Sequence, residues 1–201
     1  MKTVTQNKSI QNFKHNNAGF TLVELLTVAV FLGILTGFAL TTFNNNVHTE
    51  RLNKSSKLLL NYLNHARKRS EETLQQCVVE IDHPTTVVSI SNPQTCSGIG
   101  EVNLTTSVEG TQSLKVCGTT NPNSTNMRCD ANLDQSSDNS GNFSTSTQIS
   151  FTARGTVFQG GVIKLHSETA EKGRCLVVTS PIGLIREGQD DGNECKLTTQ
   201  S

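Results

Sequence analysis

The 201-residue chain has no tryptophan, a single tyrosine and only four prolines, and its 17 Lys and Arg are balanced by 17 Asp and Glu. It also lacks the spacings that most chemistry needs. There is no Cys-x-x-Cys, no histidine pair at ligand spacing, no Gly-x-Ser-x-Gly and no phosphate-binding glycine loop, so redox, zinc, hydrolase and nucleotide sites have no visible basis. Gly98-Ile99-Gly100 lacks a third glycine and reads as a turn, and Asp82-His83-Pro84 reads as a strand end. The expectation is a protein that is not an enzyme and that carries no metal and no cofactor.

Apolar residues are scarce where a core would need them. Of the 68 in the chain, 15 lie in residues 20–40, and the 161 residues beyond Leu40 hold 48. That is thin for a self-sufficient core and argues against a large soluble enzyme, a coiled-coil rod or a polytopic membrane protein. The even charge balance hides an asymmetry. Residues 1–19 hold Lys2, Lys8 and Lys14 and no acid, so residues 20–201 carry a net charge of −3. Phosphate-backbone binding calls for the opposite sign.

Residues 20–40 contain one ionisable group, Glu24. As a helix rising about 1.5 Å per residue, they match a bilayer's hydrocarbon core, and the preceding lysines orient the amino end to the cytoplasm. The run is longer than a secretory signal core and no Ala-x-Ala follows it. A carboxylate in such a segment costs roughly 2.5–3.5 kcal/mol and calls for a cation. Cleavage after Gly19 would supply one, the α-amine of Phe20 on a neighbouring chain. Beyond this segment Leu52, Leu59, Leu63, Ala66 and Leu74 keep helical spacing, which extends the expected helix to about Gln76. Arg51, Lys54, Lys57, Arg67, Lys68 and Arg69 fall largely outside that stripe, as a solvated or lipid-facing side.

After Gln76 the texture becomes short β-branched runs between turn residues, at 77–81, 85–90, 101–108, 113–117, 148–158, 161–166, 174–179, 183–186 and 194–197. Residues 119–148 are compositionally separate, with 24 of 30 being Ser, Thr, Asn, Asp, Gln, Gly or Pro, and read as a mobile surface loop. The expected organisation is therefore a leader at 1–19, a membrane and assembly helix at 20–43, its amphipathic continuation at 44–76, and an exported β domain at 77–201. The fold class is α+β: a long amino-terminal helix, membrane-spanning in its first half, packed on a small antiparallel sheet or sandwich. All six cysteines lie in the part expected to be exported, which implies disulfides. Six cysteines allow 15 pairings; the local set is Cys77–Cys96, Cys117–Cys129 and Cys175–Cys195.

The block Ala18-Gly19-Phe20-Thr21-Leu22-Val23-Glu24-Leu25-Leu26 resembles the processing site of type IV prepilins and type II secretion pseudopilins. The resemblance implies cleavage after Gly19 by a prepilin peptidase, N-methylation of Phe20 and an assembly role for Glu24. No proline breaks the end of the apolar run, where the chain reads Leu40-Thr41-Thr42-Phe43. Ile149-Ser150-Phe151-Thr152-Ala153-Arg154-Gly155-Thr156, Cys175-Leu176-Val177-Val178 and Gly183-Leu184-Ile185-Arg186 followed by Cys195 are similar to the GspH/FimT group of minor pilins and pseudopilins. This implies a minor type IV pilin, held at the bacterial inner membrane with its carboxy-terminal domain in the periplasm. Its partners would be major and minor pilin subunits, the peptidase and inner-membrane lipid, and its role would be to initiate pilus assembly at the tip. Two other readings stand beside it: a pseudopilin of a type II secretion system, and a DNA-binding minor pilin for natural transformation. Some members bind DNA through a Gly-Arg-x-Arg tail. Here only Arg186 of that motif remains, followed by Glu187, Asp190, Asp191 and Glu194, so DNA is the disfavoured partner and Arg186 is expected to pair with a nearby acid.

Overall fold

The computed structural model describes residues 20–108, 114–120, 136–137, 143–167, 172–192 and 194–198, with backbone alone at 38–45, 136–137 and 143–144. Helical backbone is assigned over α1 (Leu22–Thr73), and this stretch is divided between two compact units, 1–41 and 42–201.

In the first unit the described side chains share one property. From Phe20 to Gly37 every one is exposed, with Phe20 at 84%, Leu22 at 80% and Phe31 at 67%. Apolar residues occupy all sides of the helical stretch, so it has no single apolar face.

The second unit is the opposite. Its part of α1 buries Leu52, Leu59, Leu63 and Ala66 at 0–1% exposure, with Tyr62 beside them. Onto these residues pack two antiparallel sheets. The first has order β3-β2-β1-β7, from β3 (Val102–Asn103), β2 (Val87–Ile90), β1 (Cys77–Asp82) and β7 (Ser146–Phe151). The second has order β11-β10-β9-β8-β4, from β11 (Cys195–Leu197), β10 (Leu184–Asp190), β9 (Gly173–Thr179), β8 (Gly161–Ser167) and β4 (Leu114–Thr119). A third pair, β5 (Ser136–Ser137) with β6 (Phe143–Ser144), lies within the expected loop. One core joins helix and sheets, with Val79, Ile81, Ile149 and Phe151 from the first sheet meeting Val116, Ile163, Leu165, Leu176 and Val178 from the second. These residues recur at every second position of their strands, as a face buried against a helix requires.

The expected fold class is corrected. Among the described residues no helix is long and apolar enough to cross a membrane. The helical residues divide between two units, and only those from Thr42 on belong to the unit that holds the sheets. The apolar stripe also stops earlier than its spacing suggested. Leu74 is 75% exposed and takes φ 53°, a left-handed conformation that ends the helix at Thr73 rather than Gln76. Of the two arrangements expected for the strands, a sheet or a sandwich, two main sheets are found. The run at 148–158 is a strand only to Phe151, because Thr152 N–H donates to Thr156 O and Gly155 N–H to Thr152 O to close a turn. The run at 183–186 instead extends to Asp190.

Candidate functional site

The amino-terminal candidates come first. Gly19 lies outside the described residues. Phe20 precedes α1 and Glu24 sits in its first turn. The Thr21 hydroxyl accepts a hydrogen bond from the Glu24 backbone N–H at 3.3 Å, the geometry of a helix amino-terminal cap. Thr21 and Glu24 have the spacing of a capping box, and a carboxylate in the first turn is favoured by the positive end of the helix. Glu24 thus has a local electrostatic reason to be there that requires no external cation.

The cysteines build the carboxy-terminal structure. Cys77–Cys96 and Cys175–Cys195 are disulfides, with Cα atoms 5.2 and 5.9 Å apart. Cys117 is also disulfide-bonded, and Cys129 lies outside the described residues. The 77–96 bridge ties the start of β1 to the segment before β3. That segment is held again where Arg69 Nε donates to Ser97 O at 2.9 Å.

The 175–195 bridge belongs to a more unusual arrangement on the face of the second sheet that points away from α1. Cys175 on β9 reaches Cys195 on β11 by crossing β10 at Gly188. A Cβ at Gly188 would lie 3.0 Å from Cys175 Sγ and 2.6 Å from Lys196 O. One step along, Asp190 on β10 reaches Lys164 on β8 by crossing β9 at Gly173. There a Cβ would lie 3.1 Å from Asp190 Oδ2 and 2.9 Å from Leu165 O. The Lys164 Nζ to Asp190 Oδ1 distance is 2.8 Å, with the side chains 0% and 4% exposed. Two staples, one covalent and one ionic, therefore each skip a strand and each pass over a glycine that leaves room for them. Val162 and Val177 complete the small buried cluster around the disulfide. The sequence reading missed the ionic staple. Its signal was a lysine inside the apolar run Gly161-Val162-Ile163-Lys164-Leu165.

Other polar contacts tie the helix to the second sheet. The Ser56 hydroxyl donates to Glu187 Oε1 at 2.9 Å, Arg174 Nε to Asn53 Oδ1 at 2.5 Å and the Arg67 guanidinium to Gly183 O at 3.0 Å. Ser91 and Gln148 donate to the Glu80 carboxylate and hold it below the usual glutamate range. Among the described residues the buried Tyr62 hydroxyl has no hydrogen-bond partner. Burial, reinforced by the negative Glu101, pushes its pKa up to about 12.

No family model, curated protein or solved structure matches this chain.

Arg186 departs from expectation. It is exposed on β10, and among the described residues its guanidinium makes no hydrogen bond or ion pair. The acids that follow it are engaged elsewhere, Glu187 with Ser56, Asp190 with Lys164 and Asp191 with Lys196 at 2.7 Å. The strand explains this, because its alternation turns Arg186 and Glu187 to opposite faces. A groove of about 470 Å³ runs beside it, lined by Leu60, Leu184, Ile185, Arg186, Glu187, Leu197 and Thr198. Among the described residues no three His, Cys, Asp or Glu side chains gather as a metal-holding group. The features that stand out are thus an unburied amino-terminal stretch and a stapled β domain.

Proposed function

We propose that the chain is a minor pilin of the GspH/FimT type, a non-enzymatic subunit that helps to initiate a type IV pilus. The observation that carries this reading is the position of Glu24. It is the one ionisable residue between Phe20 and Leu40, and it stands in the first turn of a helix whose described side chains are all exposed up to Gly37. Such a surface favours assembly, because parallel copies bury each other's apolar faces at roughly 25 cal/mol per Å². In that bundle Glu24 of one chain neutralises the Phe20 α-amine of the next, a pairing that strengthens as water is excluded. The capping role of Thr21 and Glu24 is compatible with it, since the cap uses the backbone N–H of Glu24 and leaves its carboxylate exposed.

The disulfides support the location that goes with this reading, with the β domain on the periplasmic face of the inner membrane until the subunit enters the pilus. The partners are other pilin subunits and the prepilin peptidase.

The test is direct. Mass spectrometry of protein recovered from cells should find an amino terminus at methylated Phe20, and Gly19→Trp should leave the leader attached. A terminus elsewhere sinks the proposal. With processing intact, Glu24→Ala should be exported yet missing from sheared filaments, whereas normal incorporation would remove the pairing role and leave only the cap.

A further inference from the structure

The second sheet is polarised along β10. At one end, the turn between β9 and β10 lies against the loop after β7. Val157 N–H donates to Pro181 O at 2.9 Å, and the Ser180 hydroxyl donates to Val157 O at 3.2 Å and Phe158 O at 3.0 Å. Arg67 of α1 braces the turn through Gly183 O. These locked turns hold large apolar side chains out to solvent, with Phe158 78% exposed, Ile182 58% and Leu184 37%. Beside them stand Arg154 and Arg186, both exposed and both with guanidinium groups that have no partner among the described residues. The acid at this end, Glu71, is paired with Arg67 at 3.5 Å. At the opposite end, about 20 Å away along the strand, the exposed charges include Asp191 and Glu194, with Lys196 paired to Asp191.

We propose that this apolar, cationic end docks the domain on an anionic lipid surface. The charge pattern specifies the partner's sign and the orientation, since an anionic plane attracts the arginine end and repels the acidic end. The shape specifies the medium. Phe158 and Ile182 are more than half exposed on turns, so they are suited to sinking into the soft boundary between headgroups and acyl chains. A nucleic acid would use the two arginines but give Ile182 and Leu184 nothing to be buried in. The proposal is independent of filament assembly, which uses the other unit.

The chain has no tryptophan, so Phe158→Trp in the full-length protein places one reporter at this end. The exposure of Phe158 makes the exchange harmless to packing. The apolar amino-terminal stretch can partition into any vesicle, so the readout must be local to residue 158. With vesicles containing phosphatidylglycerol, the indole emission of the variant should shift to the blue and be quenched by brominated acyl chains. With pure phosphatidylcholine it should do neither. Adding Arg154→Glu and Arg186→Glu should cut the response at least about tenfold, each cation near an anionic surface contributing independently. An unshifted spectrum in vesicle-bound protein overturns the proposal. So does an equal response in both lipids, or a response to duplex DNA or polyglutamate in place of vesicles.

Discussion

The two units handle water in opposite ways. Residues 20–37 leave Leu, Val, Ile and Phe side chains in solvent, while the domain hides a lysine and an aspartate almost completely. Hydropathy alone predicts neither outcome. Burial depends on whether complementary surface exists within the chain. Among the described residues nothing covers the amino-terminal stretch, whose apolar residues face every way. The domain supplies Lys164 with a carboxylate 2.8 Å away, so even a full charge is tolerated in its interior.

The sharpest way to break that contrast is to remove one half of the ionic staple. Lys164→Met should cost about 3–5 kcal/mol in chemical denaturation, because it strands a buried Asp190 carboxylate, and Lys164→Met with Asp190→Leu should recover much of the loss. A double variant no more stable than the single one would show that the pair is not what holds β8 to β10. Next in size is a matched pair of leucines, one in each unit. Leu63→Ala, at a fully buried site, should cost about 2–5 kcal/mol. Leu25→Ala, at a 69% exposed site, should leave the domain's unfolding midpoint unchanged, and equal losses would erase the distinction between the units. The smallest effect sharpens the point with a neutral group. Tyr62 is the sole tyrosine, so ultraviolet titration reads it alone. Its midpoint should lie near 12 when folded and near 10.0 in denaturant. The unfolded state then loses its proton first as pH rises, so stability should fall between those two values by about 2–3 kcal/mol and be insensitive to Tyr62 below them. A folded midpoint near 10.0 would mean that solvent reaches the hydroxyl.

Much of the domain could be read from local pattern. Alternating β-branched residues marked β1, β8 and β9 to within a residue or two, and the Leu52-Leu59-Leu63-Ala66 stripe marked the buried helix face, because both signals depend on neighbours a few positions away. The Cys77–Cys96 and Cys175–Cys195 bridges followed from proximity in the chain. What escaped was long-range. Nothing near Lys164 in the sequence names Asp190, 26 positions on, and the glycines at 173 and 188 look like ordinary turn or strand glycines until the staples crossing them are seen. Leu74 kept the helical period, yet α1 had already ended. The Thr21-x-x-Glu24 cap rests on a three-residue spacing and is therefore legible in the sequence.

By itself, the sequence determined the segregation of apolar residues into an amino-terminal run, the placement of every cysteine in the later domain, and the strand and helix periods. These are properties of composition and of short spacings, on which local backbone geometry depends directly. Only the tertiary structure decided which apolar residues are buried and which acid each cation meets. It also decided that Arg186 stands without a partner among the described residues while its neighbouring acids are engaged. Those outcomes depend on which strands lie side by side and which face each side chain takes, and residues far apart in the chain settle both.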